Sequence, residues 1–241
     1  MSEPSTHPGP LALVGGGEWR DGAGFDEELL AEAGGDREVL VLPTAAAYEH
    51  PERVVEWAGR WFARFGGSVR GLMVLRRADA EDEANAAVVA GARFVYLGGG
   101  SPLHLRSVLK DSPVLQALLA AWRDGALLVA AGPAATVVSD PMVDPRGGAF
   151  TVGLGLVRDV AFAVGAERDE AQLRRTLALA PPPCAVVALG ADGCLWRAAD
   201  GTWRTGAAGD VDVYLAGRPA GLEELAGKTL HPALERTGTP R

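Results

Sequence analysis

Residues 93–105 read RFVYLGGGSPLHL, a short apolar run followed by three glycines and the start of a helix. The run Arg93–Leu97 is rich in aromatic and branched apolar side chains, which favour a strand. Ser101 followed by Pro102 is a typical helix start, because Ser caps free N–H groups and Pro fits the first helical turn. A strand that passes through a glycine turn into a helix is the repeating unit of α/β proteins. This stretch therefore predicts a parallel sheet covered by helices.

Similar apolar runs recur along the first 140 residues. Their first residues lie 28, 30, 24 and 33 positions apart, close to the roughly 30 residues of one strand–helix–strand unit. The runs alternate little between polar and apolar residues, which is typical of strands covered on both faces. Between them, Pro51–Phe65 places its apolar and charged residues on opposite faces of a helix. We therefore predict an α/β fold with a three-layer, doubly wound and mostly parallel sheet, whose strands are Leu11–Val14, Val39–Leu42, Val69–Leu75, Arg93–Leu97 and Ala126–Ala131.

The second half of the chain has a different texture. A long loop rich in glycine and proline is expected over Pro141–Leu156, followed by a strand at Val160–Val164 and a helix near Glu167–Ala180. Two Asp-Gly pairs, at 192–193 and 200–201, separate short apolar runs, a pattern typical of β-hairpins. We therefore predict antiparallel C-terminal strands added to the parallel sheet, at Cys184–Leu189, Cys194–Arg197, Thr202–Arg204 and Val211–Leu215.

The composition narrows the classes of function. The 241 residues are 48% hydrophobic and carry a net charge of −8, and a negative surface repels phosphate backbones, so nucleic-acid binding is not expected. No apolar run is long enough to predict a membrane span, and Met1–Pro10 lacks the hydrophobic region of a signal peptide. Cys184 and Cys194 are too few for a disulfide framework and are expected not to pair with each other. We expect a cytoplasmic protein with one domain over residues 11–230 and flexible tails at 1–10 and 231–241.

Three predicted strands end in unusual turns. In open α/β sheets, ligands bind beyond the carboxyl ends of the strands, and glycines there let a ligand approach the backbone closely. None of the turns has the spacing of a nucleotide-binding glycine motif. The glycines can also be explained as tight strand-to-helix turns without a ligand. The candidate binding residues at the three strand ends are Gly16, Gly17, Glu18, Gly99, Gly100, Ser101, Gly132 and Pro133.

The order of these turns resembles the cyanophycinase and aspartyl dipeptidase family. A first strand ends in Gly-Gly-Gly-Glu, a second in Pro43-Thr44-Ala45 and a third in the Gly99–Leu105 turn; an elbow and Gly-Leu-Gly-Leu at 153–156 follow. The resemblance covers Leu11–Leu215 and implies a class I glutamine amidotransferase-like fold. It also implies hydrolysis of aspartyl dipeptides or of β-aspartyl–arginine linkages. Members of the family use a Ser in a Gly-x-Ser-Ala-Gly-Ala elbow, with a His and an acid further along the chain.

The chain departs from this family pattern at each catalytic position. Gly132 falls where the catalytic Ser is expected, and Pro133 follows it. In such elbows the N–H after the nucleophile helps to form the oxyanion hole, and Pro has no N–H. Val164–Ala166 falls where the His is expected, and Ala191 falls where the acid is expected. Asp192 is adjacent to Ala191, but a hairpin turn is sufficient to explain it.

Three functional hypotheses follow. The first is a non-catalytic relative, without cofactor or metal, that binds a small peptide or amino-acid-like ligand or pairs with a homologous subunit. The second is an active peptidase with a relocated nucleophile, for which Ser101 and His104 are the candidates because i,i+3 spacing places both on one helix face. The third is a purely structural protein whose pocket is filled by side chains. The resemblance implies a homodimer if the chain does not pair with a homologue.

Overall fold

The computed structural model describes residues 8–21, 25–34, 37–165, 169–206 and 211–228. Most of the predicted N-terminal tail (1–10) and the whole predicted C-terminal tail (231–241) lie outside these residues. Residues 166–168, at the start of the helix predicted near Glu167–Ala180, also lie outside them. Among the described residues, no helix combines the length and the apolar character that crossing a membrane requires.

The elements alternate between strands and helices up to about residue 140. The described helices are α1 (Phe25–Ala33), α2 (Pro51–Ala63), α3 (Arg77–Ala80), α4 (Glu83–Ala90), α5 (Pro102–Leu109), α6 (Pro113–Arg123), α7 (Pro133–Val137) and α8 (Glu170–Leu179). The described strands are β1 (Leu11–Val14), β2 (Glu38–Leu42), β3 (Ser68–Gly71), β4 (Phe94–Leu97), β5 (Leu127–Ala131), β6 (Ser139–Asp140), β7 (Met142–Val143), β8 (Phe150–Thr151), β9 (Val157–Arg158), β10 (Val160–Val164), β11 (Ala185–Leu189), β12 (Cys194–Arg197), β13 (Trp203–Thr205), β14 (Val211–Leu215) and β15 (Arg218–Ala220).

The main sheet has seven strands in the order β13-β12-β1-β5-β4-β2-β3. The five strands from β1 to β3 in this order pair in parallel, whereas β12 and β13 are antiparallel additions at one edge. Along the chain, the strands are added outwards from β1 through β2 to β3 and then inwards through β4 to β5, so the direction reverses after β3 and helices lie on both sides of the sheet. The predicted α/β class, with a doubly wound and mostly parallel sheet, is confirmed.

Helices cover both faces of this sheet, which explains the weak alternation of polarity in the strands. In β1, Leu11 and Leu13 belong to a core that includes side chains of α4, α5 and α6. Ala12 and Val14 face the opposite core, which includes side chains of α1 and α2. All four residues are fully buried. A strand buried on both faces gains from apolar residues at every position, not at alternate ones.

Four of the remaining strands form a smaller sheet in the order β10-β11-β14-β15, and the other four form two pairs, β6 with β9 and β7 with β8. The predicted hairpin at Asp192-Gly193 is wrong, because β11 lies in this sheet whereas β12 is the antiparallel partner of β1 in the main sheet. All four residues of β12 are buried beside β1, and burial of this kind outweighs a local turn preference. The hairpin at Asp200-Gly201 is confirmed, since it joins the antiparallel pair β12 and β13.

Two predicted elements differ in extent. The strand predicted at Val69–Leu75 is limited to β3, and the chain beyond Gly71 is irregular. The loop predicted at Pro141–Leu156 contains the two-residue strands β7 and β8, which pair antiparallel. The first difference leaves irregular backbone beyond the carboxyl end of β3, whereas the second adds a short antiparallel pair after α7.

Candidate functional site

The strand β5 enters α7 through a sharp turn at Gly132. Its backbone angles are φ 54° and ψ −138°, a conformation that glycine adopts without the steric penalty of a side chain. The Gly132 N–H donates to the carbonyl of Val14 at 2.8 Å, which fixes the turn against the end of β1. Pro133 begins α7 and is exposed. The strand-to-helix elbow is therefore present, with glycine at its tip and proline after it.

The tip of the elbow faces the other two glycine turns. A Cβ atom built on Gly132 would lie 3.7 Å from Cα of Gly16 and 3.8 Å from Cα of Gly99, which are ordinary contacts. Gly16 is exposed and has no atom within 4 Å of a Cβ built on it. The three turns predicted from the sequence thus meet at one point, and we name this opening the glycine crevice (Gly16, Gly99, Gly132).

The first glycine turn is held by the chain segment that follows β11. A Cβ atom on Gly15 would lie 1.8 Å from the carbonyl oxygen of Gly190, so only glycine fits there. The N–H groups of Gly15 and Gly17 donate to the carbonyls of Gly193 and Ala191, each at 2.8 Å. This contact brings Ala191, where the family's acid is expected, to the edge of the crevice.

Asp192, the acid next to Ala191, forms an ion pair and does not occupy the hairpin turn that the sequence predicts for it. Its Oδ1 accepts a hydrogen bond from Arg20 Nε at 3.0 Å, and the two side chains form a half-exposed ion pair. An exposed pair of this kind contributes little stability. The pair fastens the segment after β11 to the turn after β1, so Asp192 is engaged outside the crevice.

Glu18 links the turn after β1 to the turn after β4 through a hydrogen bond. Its Oε1 accepts a hydrogen bond from the Gly99 N–H at 3.1 Å, and no described residue donates a hydrogen bond of ordinary geometry to its buried Oε2. Burial raises the pKa of Glu18 to about 7, although the Gly99 N–H and the neighbouring Tyr96 hydroxyl act in the opposite direction. The carboxyl group thus lies beneath the crevice and is not part of its open surface.

Asp26 is a second buried carboxyl group close to Glu18. Its Oδ2 accepts a hydrogen bond from Trp61 Nε1 at 2.8 Å, and the residue is fully buried. Burial raises the pKa of Asp26 to about 7, against the effect of the Trp61 bond, and the charge of Glu18 adds to the increase. Sequence reasoning missed this residue, because an acid in the first turn of α1 is also typical of a solvent-exposed helix start.

Ser101 and His104, the candidates for a relocated catalytic pair, each make a separate hydrogen bond with the backbone. The Ser101 Oγ accepts from the backbone N–H of His104 at 3.3 Å, which confirms its predicted role as the N-cap of α5. The His104 Nε2 lies 2.8 Å from the carbonyl oxygen of Leu75, and a carbonyl can only accept, so this nitrogen carries a proton.

Gly100, in the same turn, has φ 137°, and a Cβ there would lie 2.5 Å from the carbonyl of Ala45. Glycine is therefore required at this turn.

A cavity of about 120 Å³ lies next to the elbow, between α7, the end of β10 and α8. Val164 and Gly165, where the family's His is expected, open onto it, and the following residues 166–168 lie outside the described structure. The cavity was missed in the sequence because its walls come from four separate segments that only the fold brings together. We name it the elbow cavity; its lining comprises Pro133, Thr136, Val143, Pro145, Ala163, Val164, Gly165, Asp169, Gln172, Leu173 and Thr176.

Other nucleophiles and metal ligands in the described part of the chain are not assembled into a site. Cys184 and Cys194 are both free and buried. They do not form a disulfide with each other, in agreement with the sequence prediction. Burial raises their pKa values to about 11 and about 12, so neither is a thiolate near neutral pH. Within the described residues, no group of three His, Cys, Asp or Glu side chains is placed to hold a metal ion.

Known proteins resemble this chain in sequence and in fold. The cyanophycinases of Synechococcus elongatus and Thermosynechococcus vestitus are each 26% identical to it over 223 residues, which cover 87% of this chain and 69% of theirs. The crystal structure of a peptidase from an acI-B1 actinobacterium is similar with a TM-score of 0.76 at 24% identity, covering 88% of this chain and 92% of that one. A putative peptidase E protein from Listeria monocytogenes has a TM-score of 0.60 at 15% identity, covering 86% and 98%.

These likenesses extend over the main sheet and the elbow. The sequence model of peptidase family S51 matches residues 11–144, which contain β1 to β7, all three glycine turns and Gly132. That match spans more than half of the 241 residues. The resemblance inferred from the ordered glycine turns is thereby confirmed, and the chain belongs to peptidase family S51.

Proposed function

We propose that this chain is a non-catalytic member of its peptidase family that binds a small peptide or amino-acid-like ligand. The observation that carries the proposal is the elbow itself, where Gly132 supplies no hydroxyl and Pro133 supplies no N–H. Loss of a catalytic Ser costs on the order of 10⁶ in rate, and loss of one oxyanion donor costs about 10²–10³. The two losses are chemically independent, so restoring one does not restore the other.

The positions of the other two catalytic groups support the same proposal. The end of β10 presents Val164 and Gly165 to the elbow cavity, and Ala191 lies beside the first glycine turn. The nearest acid, Asp192, is bonded to Arg20. Neither a base nor an acid that orients a base is therefore contributed at these positions by the described residues.

The surroundings of the elbow favour ligand binding over a purely structural role. A filled pocket would have large side chains above Gly132, whereas a Cβ there would meet only the Cα atoms of Gly16 and Gly99 at ordinary distances. The elbow cavity, lined in part by Pro133, is an unfilled space next to the elbow. Assembly as a homodimer or with a homologous subunit, and a cytoplasmic location, complete the proposal.

The experiment that tests the proposal is labelling by a fluorophosphonate probe, together with release of amino acids from aspartyl dipeptides and β-aspartyl–arginine. We expect no labelling and no release above the level of a heat-denatured sample. Labelling or turnover would overturn the proposal. If that activity then disappeared in Ser101→Ala and in His104→Ala, it would establish the relocated pair as the catalytic machinery.

A further inference from the structure

The elbow cavity has a lining that suits one class of ligand. Most of its walls are apolar, and they include Pro133, Val143, Ala163 and Leu173. A dry, apolar cavity of about 150 Å³ holds a benzene molecule. At about 120 Å³, the elbow cavity therefore suits an aliphatic group of about four or five carbon atoms.

The two hydroxyl groups that line the cavity have already used their donors. The Thr136 hydroxyl donates to the carbonyl of Pro133 at 2.8 Å, and the Thr176 hydroxyl donates to that of Gly148 at 2.7 Å. The Gln172 Nε2 donates to the carbonyl of Pro145 at 3.3 Å, which uses one of its two N–H groups. These side chains therefore offer a ligand several oxygen lone pairs and one amide N–H, a set that favours a ligand rich in donors.

Asp169 adds a negative charge at the edge of the cavity. Its Oδ1 accepts from the backbone N–H of Gln172 at 2.8 Å and caps α8, whereas that bond leaves its Oδ2 unused. The side chain is exposed, and no Lys, Arg or His is among the described residues that line the cavity. A ligand carboxylate would meet like charge there, whereas an ammonium group would meet a carboxylate and further acceptors.

We propose that the elbow cavity binds the aliphatic side chain of a small amino-acid-like ligand, whose ammonium group is held by Asp169. This assignment rests on the proposed non-catalytic binding function and specifies its ligand class. It differs from the aspartyl substrates implied by the family resemblance, because an acidic side chain fits neither the apolar walls nor the charge at the edge.

Binding of L-leucinamide, measured by isothermal titration calorimetry and by the increase in Tm, tests the assignment. We expect saturable binding of L-leucinamide. N-acetyl-L-leucinamide, which lacks the charge, should bind about twofold to fivefold more weakly, since an ion pair with an exposed carboxylate contributes modestly. L-aspartic acid α-amide, which keeps the ammonium group but has an acidic side chain, should be weaker by a similar factor.

Two variants separate the charge from the cavity. Asp169→Asn keeps a good helix N-cap and removes the negative charge, so it should weaken L-leucinamide binding about twofold to fivefold and abolish the preference over the acetylated compound. Leu173→Phe adds volume inside the cavity and should also weaken binding. The matched control is Leu177→Phe, one turn further along α8 and outside the cavity lining, which should bind as the parent does.

The outcomes distinguish the cavity assignment from the proposed function. No binding of L-leucinamide, equal binding of the acetylated or acidic compound, or a folded Leu173→Phe variant with unchanged affinity would each overturn the assignment. The fluorophosphonate and hydrolysis assays are run on the same sample. Activity in those assays overturns the non-catalytic function, whereas a protein that is inactive and also fails to bind L-leucinamide overturns only the assigned ligand class.

Discussion

Gly132 illustrates how a single residue can keep the shape of a catalytic turn and lose its chemistry. Its φ of 54° lies in the backbone region that residues other than glycine rarely adopt. A serine at such a turn carries backbone strain, which an active peptidase tolerates because the turn exposes the nucleophile. With glycine the same turn forms without strain. Pro133 adds to this because its fixed φ suits the first position of α7.

At the residue scale, Gly132→Ser should destabilise the protein without creating activity. A Cβ has room there, since its nearest contacts lie at 3.7 and 3.8 Å, so the cost is the backbone conformation alone, about 1–3 kcal/mol. The hydroxyl would still lack an oxyanion donor at Pro133. Urea unfolding and dipeptide hydrolysis measure the two effects.

Gly132→Ala is the control for this prediction. It introduces the same backbone strain without a hydroxyl, so its loss of unfolding free energy should match that of Gly132→Ser. Measurable turnover by Gly132→Ser alone would contradict this prediction, because it would show that Pro133 and the missing base do not limit catalysis.

At the scale of elements, the candidate site depends on a contact between two turns from different sheets. The turn after β1 belongs to the main sheet, and the segment 190–193 joins β11 of the small sheet to β12 of the main sheet. Two backbone hydrogen bonds and the ion pair of Arg20 with Asp192 connect them. The distance between the backbones is so short that Gly15 has no room for a methyl group.

Gly15→Ala should therefore destabilise the protein strongly, by more than about 2 kcal/mol, because the added Cβ would overlap the carbonyl of Gly190 and force the backbone apart. Gly16→Ala is the matched control, since nothing lies within 4 Å of its Cβ, and we expect a change within about 0.5 kcal/mol. Chemical denaturation of both variants measures the difference. Equal stabilities for the two would show that the turns do not pack as closely as described.

At the scale of the whole molecule, the two buried carboxyl groups below the glycine crevice should make stability depend on pH. Glu18 and Asp26 have ordinary pKa values of 4.5 and 3.8, and burial raises both to about 7. Below the ordinary values both groups are protonated in the folded and unfolded chains, and the stability is fully present. As the pH rises towards 7, the unfolded chain releases these protons first, so folding becomes less favourable.

We therefore expect the free energy of unfolding to decrease between about pH 4 and pH 7 and to level off above that range. The contribution of Glu18 alone is on the order of 3 kcal/mol. Tyr96 and Cys194, which lie close to these carboxyls, titrate far above this range because burial raises the pKa of each. Urea unfolding at pH 5, 6, 7 and 8 measures the trend.

Glu18→Gln isolates this effect. Its side-chain oxygen can still accept from the Gly99 N–H, while it has no proton to release, so the unfolding free energy of this variant should depend less on pH than that of the parent. Asp26→Asn should act in the same direction and keep the acceptor for Trp61. A parent protein whose stability rises from pH 5 to pH 7, or a Glu18→Gln variant with an unchanged slope, would contradict the assignment.

Much of the main sheet could be predicted from local features of the sequence. Apolar runs at intervals of roughly 30 residues and Ser-Pro helix starts act over short distances, so β1, β4 and α5 form where the sequence predicts them. The Asp192-Gly193 pair predicted a hairpin that does not form, because a contact between distant segments determines the structure there. Its local turn preference is weaker than the burial of β12 against β1, a segment about 180 residues earlier in the chain.

The candidate site also has features that the sequence predicts and features that depend on the fold. The sequence by itself determined which groups are present, including the absence of a hydroxyl at Gly132 and of an N–H at Pro133. Only the tertiary structure decided that three glycine turns meet, that Glu18 lies beneath them, and that a cavity with acceptor groups opens beside α8. The reason is physical: chemical groups belong to single residues, whereas burial, pKa and cavity shape depend on segments that meet only when the chain folds.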